Sequence, residues 1–268
     1  MLIAGFKKFL RVCEDYIIHD DHINLKELER LTEILSEFEK DFIGDRSDEA
    51  KKAYKGKNGE PGEATDFDKE LVESIEANIS RLRTEEEFLL KLKTLYKNDS
   101  NEARSLFYEV KLKFKPAEAP DRLNQVLDAY VQGLHYVYQY YFGGLPSWEW
   151  YYPYYYAPLV GDLHQYIKFL NSSGATVRPF NKSQPYEPFK QLMCILPRES
   201  AQLLPLCLQP LIVDEKSPLR TPVNYFPDNV EIDPYGGLQE HEFIHILPFI
   251  DQDKITEVYT SVPQEAFT

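Results

Sequence analysis

From Asn24 the chain repeats apolar residues at three- and four-residue spacing: Leu25, Leu28, Leu31, Leu35, Phe38 and Phe42. Lys26, Glu27, Glu29, Arg30, Glu33 and Glu37 take the opposite side. This period predicts an amphipathic helix capped by Asn24 and ending near Gly44. Residues 44–66, with Gly56, Gly59, Pro61 and Gly62, lack a core-forming pattern and read as a mobile insertion. Helical spacing returns with Phe67, Leu71, Ile75, Ile79 and Leu82, then with Phe88, Leu89, Leu92 and Leu95. A short helix is expected over about 100–114. Pro120 then opens a long one, with Leu123, Val126, Leu127, Tyr130, Val131, Leu134, Val137 and Tyr138 on a broad apolar face, stopping at Gly143–Gly144.

Beyond Gly144 the texture changes. Most of the 18 prolines lie from Pro146 onward and separate short segments. The fold class expected is mainly α: an irregular multi-helix domain with Pro-rich ordered loops and at most short strands. It divides into helices over 1–43, the insertion at 44–66, charged helices over 67–115 and an aromatic, Pro-rich block over 116–268.

Composition narrows the function. Thirty basic against 44 acidic residues give a net charge of −14 in 268 residues, which argues against a free-standing nucleic-acid binder with a basic face. No apolar run approaches the ~18–20 residues of a membrane-spanning helix, and no secretory signal is expected at the start. Cys13, Cys194 and Cys207 are odd in number and widely spaced, which disfavours a disulfide framework and fits a reducing compartment. The chain holds 19 Tyr and 16 Phe, and ten of the seventeen residues from Tyr140 to Tyr156 are aromatic. Such rings stack on nucleobases or fill a core, and composition leaves both uses open.

That stretch, Tyr-Tyr-Phe-Gly-Gly-Leu-Pro-Ser-Trp-Glu-Trp-Tyr-Tyr-Pro-Tyr-Tyr-Tyr followed by Ala157-Pro158 and Asp162-Leu163, closely resembles the second conserved block of the XRN-type 5′→3′ exoribonuclease family. The resemblance continues in order. Phe189-Lys-Gln-Leu-Met193 with Ile195-Leu196-Pro197, Ser217-Pro218, Tyr225-Phe226-Pro227, Glu231-Ile232-Asp233, and Gly237, Gln239 and Glu242 ahead of Leu247-Pro-Phe-Ile-Asp251 are similar to further elements of that block. Upstream, Ile23 to Leu28 and Leu35 to Glu39 resemble its linker helix.

The resemblance implies the helical half of an enzyme that hydrolyses 5′-monophosphorylated RNA in RNA decay or processing, with RNA as partner and a nuclear or cytoplasmic location. It implies Mg²⁺ for the complete enzyme, held by a separate N-terminal acidic block that acts in cis or in trans. Nothing in this sequence matches that block, so no catalytic residue is assigned and the chain alone is expected to be inactive. Trp148 and Trp150 are the candidates to meet the RNA end, with Tyr155 as a third substrate-binding candidate. Tyr155 stands where a His is usual and His241 where a Trp is usual. A non-catalytic RNA-binding or protein-interaction module derived from the family is the second reading.

A different chemistry is spelled by His241-Glu242-Phe-Ile-His245, the zinc metalloprotease signature, with Asp251 spaced as a third ligand. It needs a helix, and Gly236-Gly237, Pro248 and the β-branched residues between disfavour one. Elsewhere, Asp20-Asp21 and Glu85-Glu86-Glu87 read as solvated faces. His135 and His164 read as structural or surface residues, and His19 and His22 as part of a solvated loop.

Overall fold

The computed structural model describes residues 2–19, 22–55, 84–237 and 240–267, and the chain forms two units, one from 1–182 with 233–244 and one from 183–232 with 245–268. The mainly α class expected from the sequence is found: helices dominate, and the strands of the described residues are two or three residues long.

The first unit begins with helix α1 (Leu2–Phe9) and the strands β1 (Ile18–His19) and β2 (His22–Ile23), an antiparallel pair placing Ile18 opposite Ile23 and His19 opposite His22. Asp20 and Asp21 lie outside the described residues. Helix α2 (Leu25–Lys55) starts where the pattern puts it, with the Asn24 side chain accepting from Lys26 N and Glu27 N. It does not end near Gly44. One glycine costs a helix about 1 kcal/mol, and residues 45–55, rich in Ala, Lys and Glu, regain that. The rest of the expected insertion and the apolar repeat from Phe67 to Leu82 lie outside the described residues.

Helix α1 packs on α2 at Gly5, where a Cβ would sit 2.5 Å from Leu35 Cδ2. A third helix, α3 (residues 84–98), leads to α4 (Ser100–Phe107), whose first turn is capped by the Asp99 carboxylate. A wide π turn (Tyr108–Leu112) follows, closed by Lys113 at φ 60°. The long helix α5 (Pro120–Phe142) carries Pro in its first turn and stops at Gly143. Its apolar face divides: Leu123, Val126, Leu127 and Val131 are buried, whereas Val137, Tyr140, Tyr141 and Phe142 are exposed. Helix α6 (Val160–Ser173) packs along α2 through Leu163, Ile167 and Leu170. It ends at Gly174 (φ 68°), with Ala175 N donating to Leu170 O, the left-handed closure that glycine adopts without penalty.

The second unit has its own core of Met193, Leu204, Leu208, Ile212, Leu219, Phe226, Ile255 and Val258. Around it lie α7 (Pro188–Ile195), α8 (Gln209–Val213), α9 (Gln252–Thr260) and 3₁₀ turns over Arg198–Leu203 and Gln264–Phe267. Prolines open α7 and α8, where the missing N–H has no helical partner to lose. Strands β3 (Glu231–Asp233) and β4 (Ile244–Ile246) pair with each other.

Candidate nucleic-acid interface

The aromatic strip leading from α5 to α6 is fixed at Ser147. Tyr136 Oη donates to Ser147 O at 2.8 Å, and Ser147 Oγ accepts from Glu149 N and Trp150 N, both at 3.3 Å. This turn sends the two indoles different ways. Trp150 stacks on Tyr136 at 4.9 Å and meets Phe180 edge-on at 5.5 Å, while its Nε1 donates to Gln132 Oε1 at 2.9 Å. Gly133 makes room for it, since a Cβ there would lie 3.2 Å from the ring. Trp148 is 59% exposed, and Tyr151, Tyr140 and Tyr141 are exposed too. Tyr155 is half-buried.

Along one side of the strip, a cleft of about 550 Å³ is lined by Gln132, Trp150, Tyr151 and Tyr154 together with Asp128 and Arg178. Arg178 pairs with Asp128, which also accepts from Tyr166 Oη at 3.1 Å, so the cleft's charges are mutually satisfied.

At its far end the strip is tied into the interior. Tyr156 is buried and its hydroxyl donates to Asp233. Asp233 and Glu85 both grip the Lys111 ammonium, each at 2.7 Å. The cation is walled by Phe88 at 4.7 Å, Tyr235 at 5.2 Å and Tyr156 at 5.5 Å from the ring centroids. Tyr235 reaches this position from a left-handed backbone (φ 46°), and its N–H donates to Asp233 Oδ1 at 2.9 Å. Just beyond the strip, the Glu39 carboxylate accepts from Val160 N and from Gly161 N (3.1 Å), capping α6 from α2.

Glu85 corrects the sequence reading. Glu87 is exposed and Glu86 half-buried, but Glu85 is only 5% exposed. It lies one and two turns before Leu89 and Leu92, so the helix turns it onto the same buried face. Burial pushes its carboxyl up to about 7, against the pull of Lys111. Asp233 is also penalised by burial, but Lys111, Tyr156 and the Tyr235 N–H hold it below the usual carboxylate range. Lys111 and Asp233 were not singled out as site residues. Lys111 alternates with apolar residues in Tyr108-Glu-Val-Lys-Leu-Lys-Phe114, and Asp233 belongs to the Glu231-Ile232-Asp233 motif, which is the only sequence signal either carries.

The donor set does not fit the divalent metal that the nuclease chemistry calls for. Among the described residues no group of three or more His, Cys, Asp and Glu side chains converges to hold one. Where Glu85 and Asp233 converge, an ammonium occupies the space between them. The zinc signature does not form its helix either: residues 240–242 make a 3₁₀ turn and 244–246 a strand. Asp251 caps α9, accepting from Lys254 N at 3.0 Å. His164 is buried with Nδ1 3.3 Å from Glu29 O, His135 packs on Phe180, and His19 pairs with Asp15.

The fold and the strip together define a mainly helical domain with an ordered, partly exposed aromatic segment, and comparison with known proteins gives its family. The family model described as the Xrn1 helical domain matches residues 100–266, and the chain belongs to that family, the helical domain of the XRN-type 5′→3′ exoribonucleases. It is 32% identical over 202 residues to 5′-3′ exoribonuclease 1 of Saccharomyces cerevisiae, covering 74% of this chain and 12% of the relative. It is 38% identical over 151 residues to 5′-3′ exoribonuclease 2 of Yarrowia lipolytica, 56% of this chain and 14% of the relative. Human 5′-3′ exoribonuclease 1 matches at 28% over 279 aligned residues, 96% of this chain and 16% of the relative. The matched region is thus a small part of each of these relatives.

Proposed function

We propose that this chain is the helical half of a 5′→3′ exoribonuclease core acting on 5′-monophosphorylated RNA in decay or processing. Its part is to wall the RNA path and present an aromatic platform, while hydrolysis and the Mg²⁺ that supports it belong to an acidic block supplied in cis or in trans. The observation that carries this reading is the division of labour between the indoles. Trp150 is spent on packing, which holds the strip to α5, and Trp148 is 59% exposed. Tyr155 shapes the strip between Trp150 and the buried Tyr156. No residue of this chain is assigned a catalytic role.

The test is titration of the chain with a 5′-monophosphorylated single-stranded RNA, followed by tryptophan fluorescence. Trp148→Ala should weaken binding by about 5- to 150-fold, the equivalent of the ~1–3 kcal/mol that one stacked base is worth. Equal affinity in the variant would overturn the platform. Mg²⁺-dependent hydrolysis by the chain alone would overturn the assignment of chemistry to a separate block, and a chain that binds RNA yet stays inert when that block is supplied would support the non-catalytic module.

A further inference from the structure

We infer that the Glu85–Lys111–Asp233 cluster is a proton-operated clasp that sets the position of the aromatic strip. The geometry gives three reasons. One ammonium is shared by two carboxylates at equal distance, 2.7 Å each, which leaves one negative charge in excess inside a ring-walled site. Glu85 Oε1 is buried with no hydrogen-bond partner among the described residues, so the charged form of this carboxylate is incompletely solvated. Asp233, its competitor for Lys111, is the residue that holds the strip through the Tyr156 hydroxyl.

Glu85 is faced by Lys111 from the π turn and by Asp233 from β3, with Tyr156 and Tyr235 completing the wall around the cation. When a proton from water adds to Glu85, its negative charge is cancelled and the competition for Lys111 ends. The ammonium then belongs to Asp233, and the excess charge is gone. Asp233 carries Tyr156 and the Tyr235 N–H with it, so the end of the strip resets as the proton arrives. Burial already places the Glu85 carboxyl at about 7, where small changes in acidity move it.

The chain's two tryptophans, Trp148 and Trp150, both lie in this strip, eight and six residues before Tyr156, so intrinsic fluorescence is the reporter for a change passed along it. The emission of the full chain should titrate as a single proton with a midpoint at about 7, and Glu85→Gln should abolish the titration. His135 also approaches the strip through Phe180, so His135→Gln is the control and should leave the midpoint unchanged. A flat wild-type profile, or a titration that survives Glu85→Gln, would overturn the clasp. Should Glu85→Gln fail to fold, carboxyl NMR of the wild-type chain labelled with ¹³C-glutamate decides instead. One glutamate titrating near 7 in step with the emission supports the clasp, and its absence overturns it.

The consequence for RNA rests on the reading above: affinity for a 5′-monophosphorylated RNA should follow the same titration in the wild type and be pH-independent in Glu85→Gln. If RNA fails to bind at any pH while the fluorescence titration persists and is lost in Glu85→Gln, the clasp stands and the RNA platform falls.

Discussion

Lys111 solves a local problem at some cost. A lysine buried alone would be deprotonated or would pull water in, whereas here two carboxylates and three rings replace its hydration shell. The residual penalty falls on Glu85, whose burial raises its carboxyl from the ordinary 4.5 to about 7. The folded chain therefore binds that proton more tightly than the unfolded chain does. Its contribution to stability is complete below about 4.5 and is lost as pH rises to about 7, amounting to roughly 3 kcal/mol by linkage. Asp233 works the other way, since its depressed carboxyl favours folding above the ordinary range and loses that contribution as pH falls. Urea denaturation across this window should show Glu85→Gln removing the decline, so that the variant matches or exceeds the wild type above about 7.

Helix boundaries show which sequence signals are physically binding. Asn24, Pro120 and Gly144 mark α2 and α5 because a cap, a ring-locked φ and a left-handed backbone (φ 93°) act locally. Gly44 misled because a lone glycine inside strong helix formers is a cost, not a stop. The aromatic strip was legible as a motif, but which indole would be packed was not. That choice depends on Tyr136, Gln132 and Gly133 arriving from another helix. The ion cluster was hidden for the same reason: Glu85 and Asp233, 148 positions apart in sequence, converge on Lys111 only once the chain has folded back. Asp251 illustrates the opposite case, a residue that looked like chemistry and serves as a cap. Asp251→Ala should destabilise the chain by about 1 kcal/mol through α9, a loss visible in thermal melts and unaffected by chelators.

On the scale of the molecule, the RNA proposed as partner would face a net charge of −14. Stacking is the contribution that survives this repulsion, because it releases no counterions and needs no basic face. RNA affinity of this chain should therefore fall only shallowly with salt, with a logarithmic slope of about 1 or less, where each phosphate neutralised on a single strand contributes roughly 0.7. A fluorescence titration repeated over a range of salt measures it. On the proposed reading, the positive field for RNA would come from outside this region, which makes up 12–16% of the relatives it matches.

The strip is anchored near its middle by the Ser147 turn and at its end by Tyr156 on Asp233, and Glu39 secures the helix that follows it. The backbone that carries its rings is thus ordered before any ligand arrives. A nucleotide landing on such a surface surrenders only its own freedom, since the protein has already paid the entropy of ordering during folding. Successive residues of a threaded strand would find the same surface each time, so a step can repeat without the wall having to be rebuilt.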